Sequence, residues 1–502
     1  MLRKILFTGA ALSALVAASA GAQTLRFGLS DDPDALDPTT ARTFVGRIVF
    51  GALCDKLMDI GPDLSIVPQL ATEWTWGDDA KSLTMKLRPN VVFHDGEKFD
   101  AEAVKFNIER HLTLQGSQRR AEIASVSTVE VIDPLTVKLN LKAPFAPLLA
   151  ALTDRAGMMI SPKAAKELGD KFSTAPVCAG PYKFVERVAQ DRIVVEKFDK
   201  YWDAKDISIN RIEFRPFTDA AVKLANLRAG QLDMIERVAP TDVAEVKKDS
   251  KLKMGEITEL GYRAIRINTN NGEKAKSIIG QNPKVREAFE LSLDRDAIVQ
   301  VVSNGEFMGG NQWLAPTNPN YVKKFPVPQR DVNKAKALLK EAGVATPVVV
   351  NLMTTTTTEN QQVAQIIQAM AAEAGFDVKI QSTEFATSLT MAEKGDFELY
   401  IQGWSGRTDP DGNLFSFIAT GAGQNDGRYS NARVDELLKV GRETTALAVR
   451  RKAYEEIADI TLRERPFIYL YHQKWLWAFK NSVTGFKEYP DGLVRFTNLK
   501  LN

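Results

Sequence analysis

The chain has 502 residues, 25% of them charged and 44% hydrophobic, which is typical of a globular protein that folds as two or three domains. The formal net charge is +2, and it falls to zero if the first 22 residues, which include Arg3 and Lys4, are removed. A balanced charge argues against nucleic acid or anionic lipid as the main partner, because both are normally bound through a strong positive excess.

The N-terminus, residues 1–22, has the pattern of a cleavable signal peptide. Arg3 and Lys4 precede an apolar run from Ile5 to Ala18, and small residues follow up to Ala22. The run is short for a membrane span, and no later stretch reaches the roughly 20 apolar residues that a spanning helix needs. No cysteine ends the run to accept a lipid. We therefore expect a periplasmic protein that is neither membrane-embedded nor lipid-anchored, with an uncleaved N-terminal anchor as the alternative.

The segment that follows residue 67 predicts two short strands and a helix. Leu83–Leu87 has alternating apolar positions, and Val91–Phe93 forms a second short apolar run that a turn ends. A helix is predicted from about Ala101, with Asp100 as its N-terminal cap. Nothing in this segment has the pattern of a catalytic site.

The second half of the chain predicts an α/β organisation. A strand over Val348–Leu352 is followed by a helix that Gly375 can end, and the next segment alternates again from Phe376, so this is a βαβ unit. Thr354–Thr358 is interpreted as a polar loop. Further elements are predicted at Ala432–Glu443 and Ala448–Glu464 (helices) and at Phe467–Tyr471 (a strand).

Trp404 follows another predicted strand, Asp396–Gln402. In open α/β sheets, ligands bind outside the carboxyl ends of the strands. The sequence therefore places Trp404 where a ligand would bind, although an indole packed in the core is the alternative.

The sequence shows none of the usual catalytic or metal-binding motifs. It lacks Gly-x-Ser-x-Gly, His-Glu-x-x-His, a Walker lysine and a dinucleotide-binding glycine pattern. Its three histidines, His94, His111 and His472, are far apart, and no His or Cys cluster has the spacing of metal ligands. We expect no enzymatic activity, no cofactor and no metal, with a secreted hydrolase and a metal-binding receptor kept as alternatives.

Several motifs occur in one consistent order along the chain. They are Pro68-Gln69-Leu70-Ala71-Thr72-Glu73-Trp74, Leu87-Arg88-Pro89-Asn90-Val91-Val92-Phe93-His94-Asp95-Gly96, Phe99-Asp100-Ala101-Glu102-Ala103-Val104, Gly180-Pro181-Tyr182, Asn268-Thr269-Asn270, Val285-Arg286-Glu287-Ala288, Leu293-Asp294-Arg295, Gly403-Trp404 and Asp409-Pro410-Asp411. This series resembles the family 5 substrate-binding proteins of ABC importers, which capture peptides, nickel chelates, opines and some oligosaccharides.

The resemblance implies an α/β periplasmic binding protein fold with two lobes, a hinge and an inserted subdomain. Lobe I would comprise residues 23–55, 179–268 and 473–502, the inserted subdomain residues 56–178, and lobe II residues 269–472. The chain would cross between the lobes near Asn268 and near His472. We expect a monomer that closes on a peptide-like solute and delivers it to an inner-membrane ABC permease, with a nickel chelate, an opine or an oligosaccharide as alternative solutes.

The match at Gly403-Trp404 makes Trp404 the first candidate ligand contact. In peptide-binding relatives, an acidic residue three positions after the matching tryptophan pairs with the α-ammonium group of the ligand. This chain has Arg407 there, which suits a carboxylate or a phosphate instead. Either Asp409 or Asp411 takes the ammonium role, or the ligand is anionic at this point. Alternatively, Arg407 pairs with Asp409 within the turn.

Other candidate cleft residues depend on the inferred layout. Thr43 and Phe44 follow an Asp-Pro turn near the entrance of lobe I, and Trp313 lies in a loop that can cover a ligand. Tyr471 and His472 lie near the inferred hinge. Alternatively, each of these residues has no role in ligand binding and is a solvated loop residue or part of the core.

Cys54 and Cys178 are the only cysteines of the chain. Because the compartment is oxidising and Cys178 lies at the inferred subdomain boundary, we predict that they form a disulfide. Two buried free thiols are the alternative, since sequence alone does not fix connectivity.

Overall fold

The computed structural model describes residues 23–502, apart from the side chain of Ala386. The predicted signal peptide lies outside the described residues. The strands are β1 (Thr24–Leu29), β2 (Met58–Ile60), β3 (Ile66–Pro68), β4 (Ala71–Trp76), β5 (Ser82–Leu87), β6 (Val126–Asp133), β7 (Thr136–Leu141), β8 (Tyr182–Val188), β9 (Arg192–Lys197), β10 (Arg211–Pro216), β11 (Met234–Ile235), β12 (Leu252–Thr258), β13 (Tyr262–Ile267), β14 (Met308–Gly309), β15 (Val348–Thr355), β16 (Phe376–Thr383), β17 (Leu399–Trp404), β18 (Phe467–His472), β19 (Lys474–Lys480), β20 (Val483–Thr484) and β21 (Lys500–Leu501).

The helices alternate with these strands over most of the chain. They are α1 (Phe44–Leu53), α2 (Ala101–Thr113), α3 (Leu148–Ala151), α4 (Pro162–Leu168), α5 (Ala220–Arg228), α6 (Val243–Lys248), α7 (Ile278–Gln281), α8 (Pro283–Leu291), α9 (Arg295–Ser303), α10 (Val332–Glu341), α11 (Thr358–Glu373), α12 (Phe385–Glu393), α13 (Asp411–Ile418), α14 (Ala432–Glu443) and α15 (Leu447–Glu464).

Three sheets organise the molecule. A seven-stranded sheet with the order β12-β19-β11-β1-β10-β9-β8 forms lobe I, and a six-stranded sheet with the order β14-β18-β13-β17-β15-β16 forms lobe II. A four-stranded antiparallel sheet, β4-β5-β7-β6, forms the subdomain inserted into lobe I. The predicted α/β class with two lobes and an inserted subdomain is confirmed.

The chain passes between the two large sheets twice, and both crossings are short. The first runs from Thr258 at the end of β12 to Tyr262 at the start of β13, and the second is the single residue Gln473 between β18 and β19. We therefore correct the predicted first crossing near Asn268. Strand β13 pairs with β17 and β18 and thus belongs to lobe II, a pairing that local sequence does not reveal.

Local sequence explains several elements well. Asp100 caps α2, its carboxylate accepting a hydrogen bond from the Ala103 N–H at 3.0 Å. The βαβ unit is formed by β15, α11 and β16, and Gly375 follows the helix with a φ of +94°, a conformation that glycine adopts without steric cost.

Two predicted elements are wrong. Val91–Phe93 is not a strand, because the turn that follows leaves only an isolated bridge between Val92 and Lys98. The predicted loop Thr354–Thr358 is too long, because only residues 356–357 lie between the end of β15 and the start of α11. Threonine is compatible with an extended strand, and parallel pairing with β16 continues the strand as far as Thr355.

Each sheet covers its own apolar core, and a further cluster continues across the hinge. In that cluster, Leu252 and Leu476 of lobe I pack in one group with Ile265 and Leu470 of lobe II. None of the helices described over residues 23–502 is both long and apolar enough to cross a membrane.

Candidate functional site

The end of β17 lies directly against the first hinge crossing. Leu260 forms an isolated parallel bridge with Gly406, and a Cβ added at Gly261 would collide with the carbonyl oxygen of Trp404. Gly406 has a φ of +79° and equally lacks room for a Cβ beside Leu260. The loop after Trp404 is thereby fixed to the segment that connects the two large sheets.

Asn413 holds this loop in place. Its fully buried side chain accepts hydrogen bonds from the Trp404 indole N–H and from the Arg407 backbone N–H, both at 2.8 Å, and donates to the Arg407 carbonyl at 3.1 Å. The Trp404 ring also packs against Phe417, with ring centroids 5.0 Å apart. Trp404 is thus partly buried, with one part of the ring packed in the core.

A cavity of about 140 Å³ lies between the inserted subdomain and lobe II. From the subdomain it is lined by Gln118, Ala121, Glu122, Phe145, Pro147, Ala150, Ala151 and Asp154, and from lobe II by Trp404, Arg407, Asp409, Asp411, Gly412, Ser416, Gln424 and Arg442. The two walls touch, because the Ala146 N–H donates to the Arg442 carbonyl at 2.7 Å. A solute in this cavity would contact both walls at once.

Asp154 is the centre of a buried group of charges on the subdomain side. Its Oδ1 atom accepts hydrogen bonds from Arg47 Nε at 3.0 Å and from the Arg155 N–H at 2.8 Å, and Arg407 Nε approaches Oδ2 to 3.5 Å. Burial alone would raise the pKa of Asp154, but the charges of these arginines and of Arg119 hold it well below its usual value. Asp154 is therefore ionised.

Glu122 and Arg119 extend this group. Arg119 Nη1 donates to Glu122 Oε1 at 2.5 Å, and Arg407 Nη2 lies 3.9 Å from the same oxygen. Contrary to the interpretation of Arg407 as a partner of Asp409 within the turn, its ionic contacts cross the cavity to the subdomain. Asp409 instead accepts a hydrogen bond from Arg450 at 2.6 Å.

Asp411 is buried beside Arg442 on the lobe II side. Arg442 Nε lies 3.1 Å from Asp411 Oδ1, but the alignment is too poor for a hydrogen bond. Burial raises the pKa of Asp411 to about 7, with the nearby charge of Asp409 adding to the effect and those of Arg442 and Arg450 opposing it. Asp411 is therefore only partly ionised at neutral pH.

Asp411→Asn is expected to remove a fall in stability that the wild type shows as the pH rises from about 4 to 7. In this window the folded protein keeps a proton on Asp411 that the unfolded chain has released, so increasing pH favours unfolding of the wild type. We expect the slope of the unfolding free energy against pH to differ between the wild type and the variant by up to about 1.4 kcal/mol per pH unit. Urea unfolding at several pH values measures both slopes. The exposed Asp199→Asn should retain the wild-type slope, and equal slopes for all three proteins would contradict the expectation.

The remaining predicted ligand residues lie away from the lining of this cavity. Thr43 precedes α1, and its hydroxyl donates a hydrogen bond to the Asp34 carboxylate at 2.7 Å. Phe44 stacks on Trp475, with ring centroids 4.3 Å apart. Trp313 is 1% exposed and packs in the core of lobe II.

The two predicted hinge residues are both buried at the end of β18. The Tyr471 hydroxyl donates to Glu359 at 2.8 Å, and His472 Nδ1 donates to the Gly261 carbonyl at 2.6 Å. Burial lowers the pKa of His472 to about 4. Any contact of these residues with a ligand stays a prediction.

Sequence reasoning missed Asp154, Glu122, Phe145 and Arg442. No local motif marks them, because only tertiary packing brings the three subdomain residues next to Arg442 of lobe II. Among residues 23–502, the structure shows no group of three or more His, Cys, Asp or Glu side chains placed to hold a metal ion.

Comparison with known proteins places the chain in a family. Residues 65–426 match the bacterial extracellular solute-binding proteins, family 5 (middle). The glutathione-binding protein GsiB of Pectobacterium atrosepticum is 30% identical over 481 residues, covering 93% of this chain and 92% of that protein.

Solved structures show the same fold. The PBP AgaA from A. tumefacien R10, in complex with agropinic acid, is 29% identical and superposes with a TM-score of 0.82 over 95% of this chain and 99% of its own. The dipeptide binding protein from Pseudoalteromonas sp. SM9913, in complex with Met-Leu, has a TM-score of 0.85 over 96% of this chain and 100% of its own, at 21% identity, and supports the fold alone. The chain therefore belongs to the family 5 bacterial extracellular solute-binding proteins.

Proposed function

We propose that this protein captures a peptide-like solute in the cavity between the inserted subdomain and lobe II and delivers it to an ABC permease in the inner membrane. The main support for this proposal is that residues from both the inserted subdomain and lobe II line the cavity. A solute held there gains its full set of contacts only when the lobes are closed. Binding would shift the population toward the closed form, which the permease would recognise.

The relatives support a solute of the size of a short peptide. GsiB of Pectobacterium atrosepticum, at 30% identity, is named for glutathione, a tripeptide. An opine is the second candidate, because AgaA, at 29% identity, was solved with agropinic acid. Our proposal includes a periplasmic location, no lipid anchor, a monomeric state and no covalent chemistry on the solute.

Calorimetric titration of the mature protein with glutathione, agropinic acid and Met-Leu tests the proposal. We expect saturable binding of at least one of them with one site per chain, and recovery of that solute unchanged. Absence of binding to all three would contradict a peptide-like or opine-like solute. Conversion of the solute into a product would favour the hydrolase alternative.

Trp404→Ala is expected to weaken solute binding by one to two orders of magnitude, or about 1.4 to 2.8 kcal/mol, because an aromatic wall of the cavity is lost. The melting temperature of the free protein should change little, since the ring is only partly buried. Trp74→Ala is the matched control: Trp74 is a partly buried tryptophan of the subdomain that lies outside the lining of the cavity. A large loss of stability with unchanged affinity would show that Trp404 is a core residue.

A further inference from the structure

We propose that the solute is anionic and places a carboxylate between Arg407 and Arg442. This inference rests on the proposed function, and it narrows the class of solute that the same cavity accepts. It also assigns a role in specificity to Arg442, a residue with no distinctive sequence motif.

The charges around the cavity do not balance. Four carboxylates line it, and six arginines either line it or pair with those carboxylates, which leaves an excess of at least two positive charges. The carboxylates are Glu122, Asp154, Asp409 and Asp411, and the arginines are Arg47, Arg119, Arg155, Arg407, Arg442 and Arg450. An uncompensated positive charge inside a protein is costly, and an anionic solute would reduce that cost.

Most of the carboxylates are already paired with arginines behind the cavity wall. Asp154 is held by Arg47, and Glu122 by Arg119. On the lobe II side, Asp409 is likewise held by Arg450. These pairs leave Arg407 and Arg442 as the arginines that line the cavity itself.

The ionic contacts of Arg407 and Arg442 are long or badly aligned. Arg407 is 3.5 Å from Asp154 and 3.9 Å from Glu122, and neither contact is a hydrogen bond. Arg442 Nε is buried without a hydrogen bond in spite of the nearby Asp411. Both guanidinium groups therefore retain N–H donors that a carboxylate could satisfy.

Aromatic rings cover the faces of both guanidinium groups. Arg407 Cζ lies 4.5 Å from the centroid of the Trp404 ring. Arg442 Cζ lies 3.5 Å from the Phe415 centroid and 4.8 Å from that of Phe145. A stacked guanidinium group keeps its planar edge available, and that edge matches the two oxygens of a carboxylate.

Arg442 also connects the two walls of the cavity. Phe145 belongs to the subdomain and Phe415 to lobe II, so the guanidinium group stacks on both walls. A purely structural role in closure would favour every solute equally. A role in specificity would favour solutes with a free carboxylate, and this difference can be measured.

The test compares acids with their esters. Glutathione, agropinic acid and Met-Leu are each titrated against the corresponding fully esterified compound, in which every carboxylate charge is removed. For the wild type we expect at least one acid to bind about 100-fold more tightly than its ester. Equal affinity of acid and ester would overturn this inference and leave the proposed function intact, whereas no binding of any of these compounds would refute both.

The variants Arg442→Gln and Arg407→Gln test whether these two arginines select for a carboxylate. Each is expected to reduce the ratio of acid to ester affinity to less than about 10, while Arg442→Lys, which keeps the charge but not the planar edge, should give an intermediate ratio. Arg433→Gln is the matched control, because Arg433 lies on the same helix and pairs with Glu456 on the exposed surface. A Gln variant of Arg442 that weakens acid and ester by the same factor would assign this residue to closure and overturn its role in specificity.

Discussion

Removal of the disulfide between Cys54 and Cys178 is expected to lower the free energy of unfolding by about 4 to 5 kcal/mol. The two residues are 124 positions apart, so the bond closes a long loop and restricts the unfolded chain. Cys54 directly follows α1, and Cys178 pairs with Ile160 where the chain leaves the subdomain. The bond therefore ties together the start and the end of the inserted subdomain.

Urea unfolding of the wild type and of the double variant Cys54→Ala/Cys178→Ala measures this difference. Reduced wild type is the matched control, because it loses the bond without any change of sequence, and it should unfold close to the double variant. Thiol labelling of unfolded, unreduced protein checks the bond directly. Two reactive thiols per chain would contradict it.

Asp154→Asn is expected to lower the free energy of unfolding by about 3 to 5 kcal/mol, because it leaves buried arginines without their anion. The side chains of Arg47 and Arg155 are only 5% and 4% exposed, and both contact Asp154. Water therefore cannot compensate for the missing charge.

The effect should depend on pH in a defined direction. The pKa of Asp154 is lowered in the folded protein, so its stabilisation is present above the usual carboxyl pKa and is lost as the pH falls below it. Urea unfolding of the ligand-free protein at pH 7 and at low pH measures both effects. The control is Asp459→Asn, which removes an exposed pair with Arg463 and should change stability by less than about 1 kcal/mol. Equal stability of the Asp154→Asn variant and the wild type would contradict the claim that Asp154 stabilises the folded protein by compensating the buried arginines.

Elements with a clear local pattern are predicted well from this sequence. The helix Ala432–Glu443 has the predicted limits, and Asp100 caps α2 as expected. The error at the first crossing between the lobes arises because pairing over long distances decides the structure there. Tyr262–Ile267 belongs to lobe II only because β17 and β18 lie on either side of it, and the order of the strands is not visible in the local sequence.

The residues of the candidate site likewise fall into those that the sequence identifies and those that it does not. Trp404 and Arg407 are identifiable because they lie at or just beyond the end of a strand, at a recognisable motif, and both line the cavity. Asp154 and Phe145 come from the inserted subdomain, about 250 residues earlier in the chain, and only the packing of the subdomain on lobe II brings them to Trp404. For Trp313 the sequence is misleading in the other direction. Its position in a loop suggested a ligand contact, but its ring is buried in the core.

Capture of a peptide-like solute by this protein can be tested by mass spectrometry of the small molecules that are released when periplasmically expressed protein is denatured. We expect one solute per chain, of the size of a short peptide or an opine and with at least one carboxylate. The Trp404→Ala variant, treated in the same way, should release no such solute. Release of the same solute from the Trp404→Ala variant in equal amount, or release of a solute unrelated to peptides and opines, would contradict this expectation.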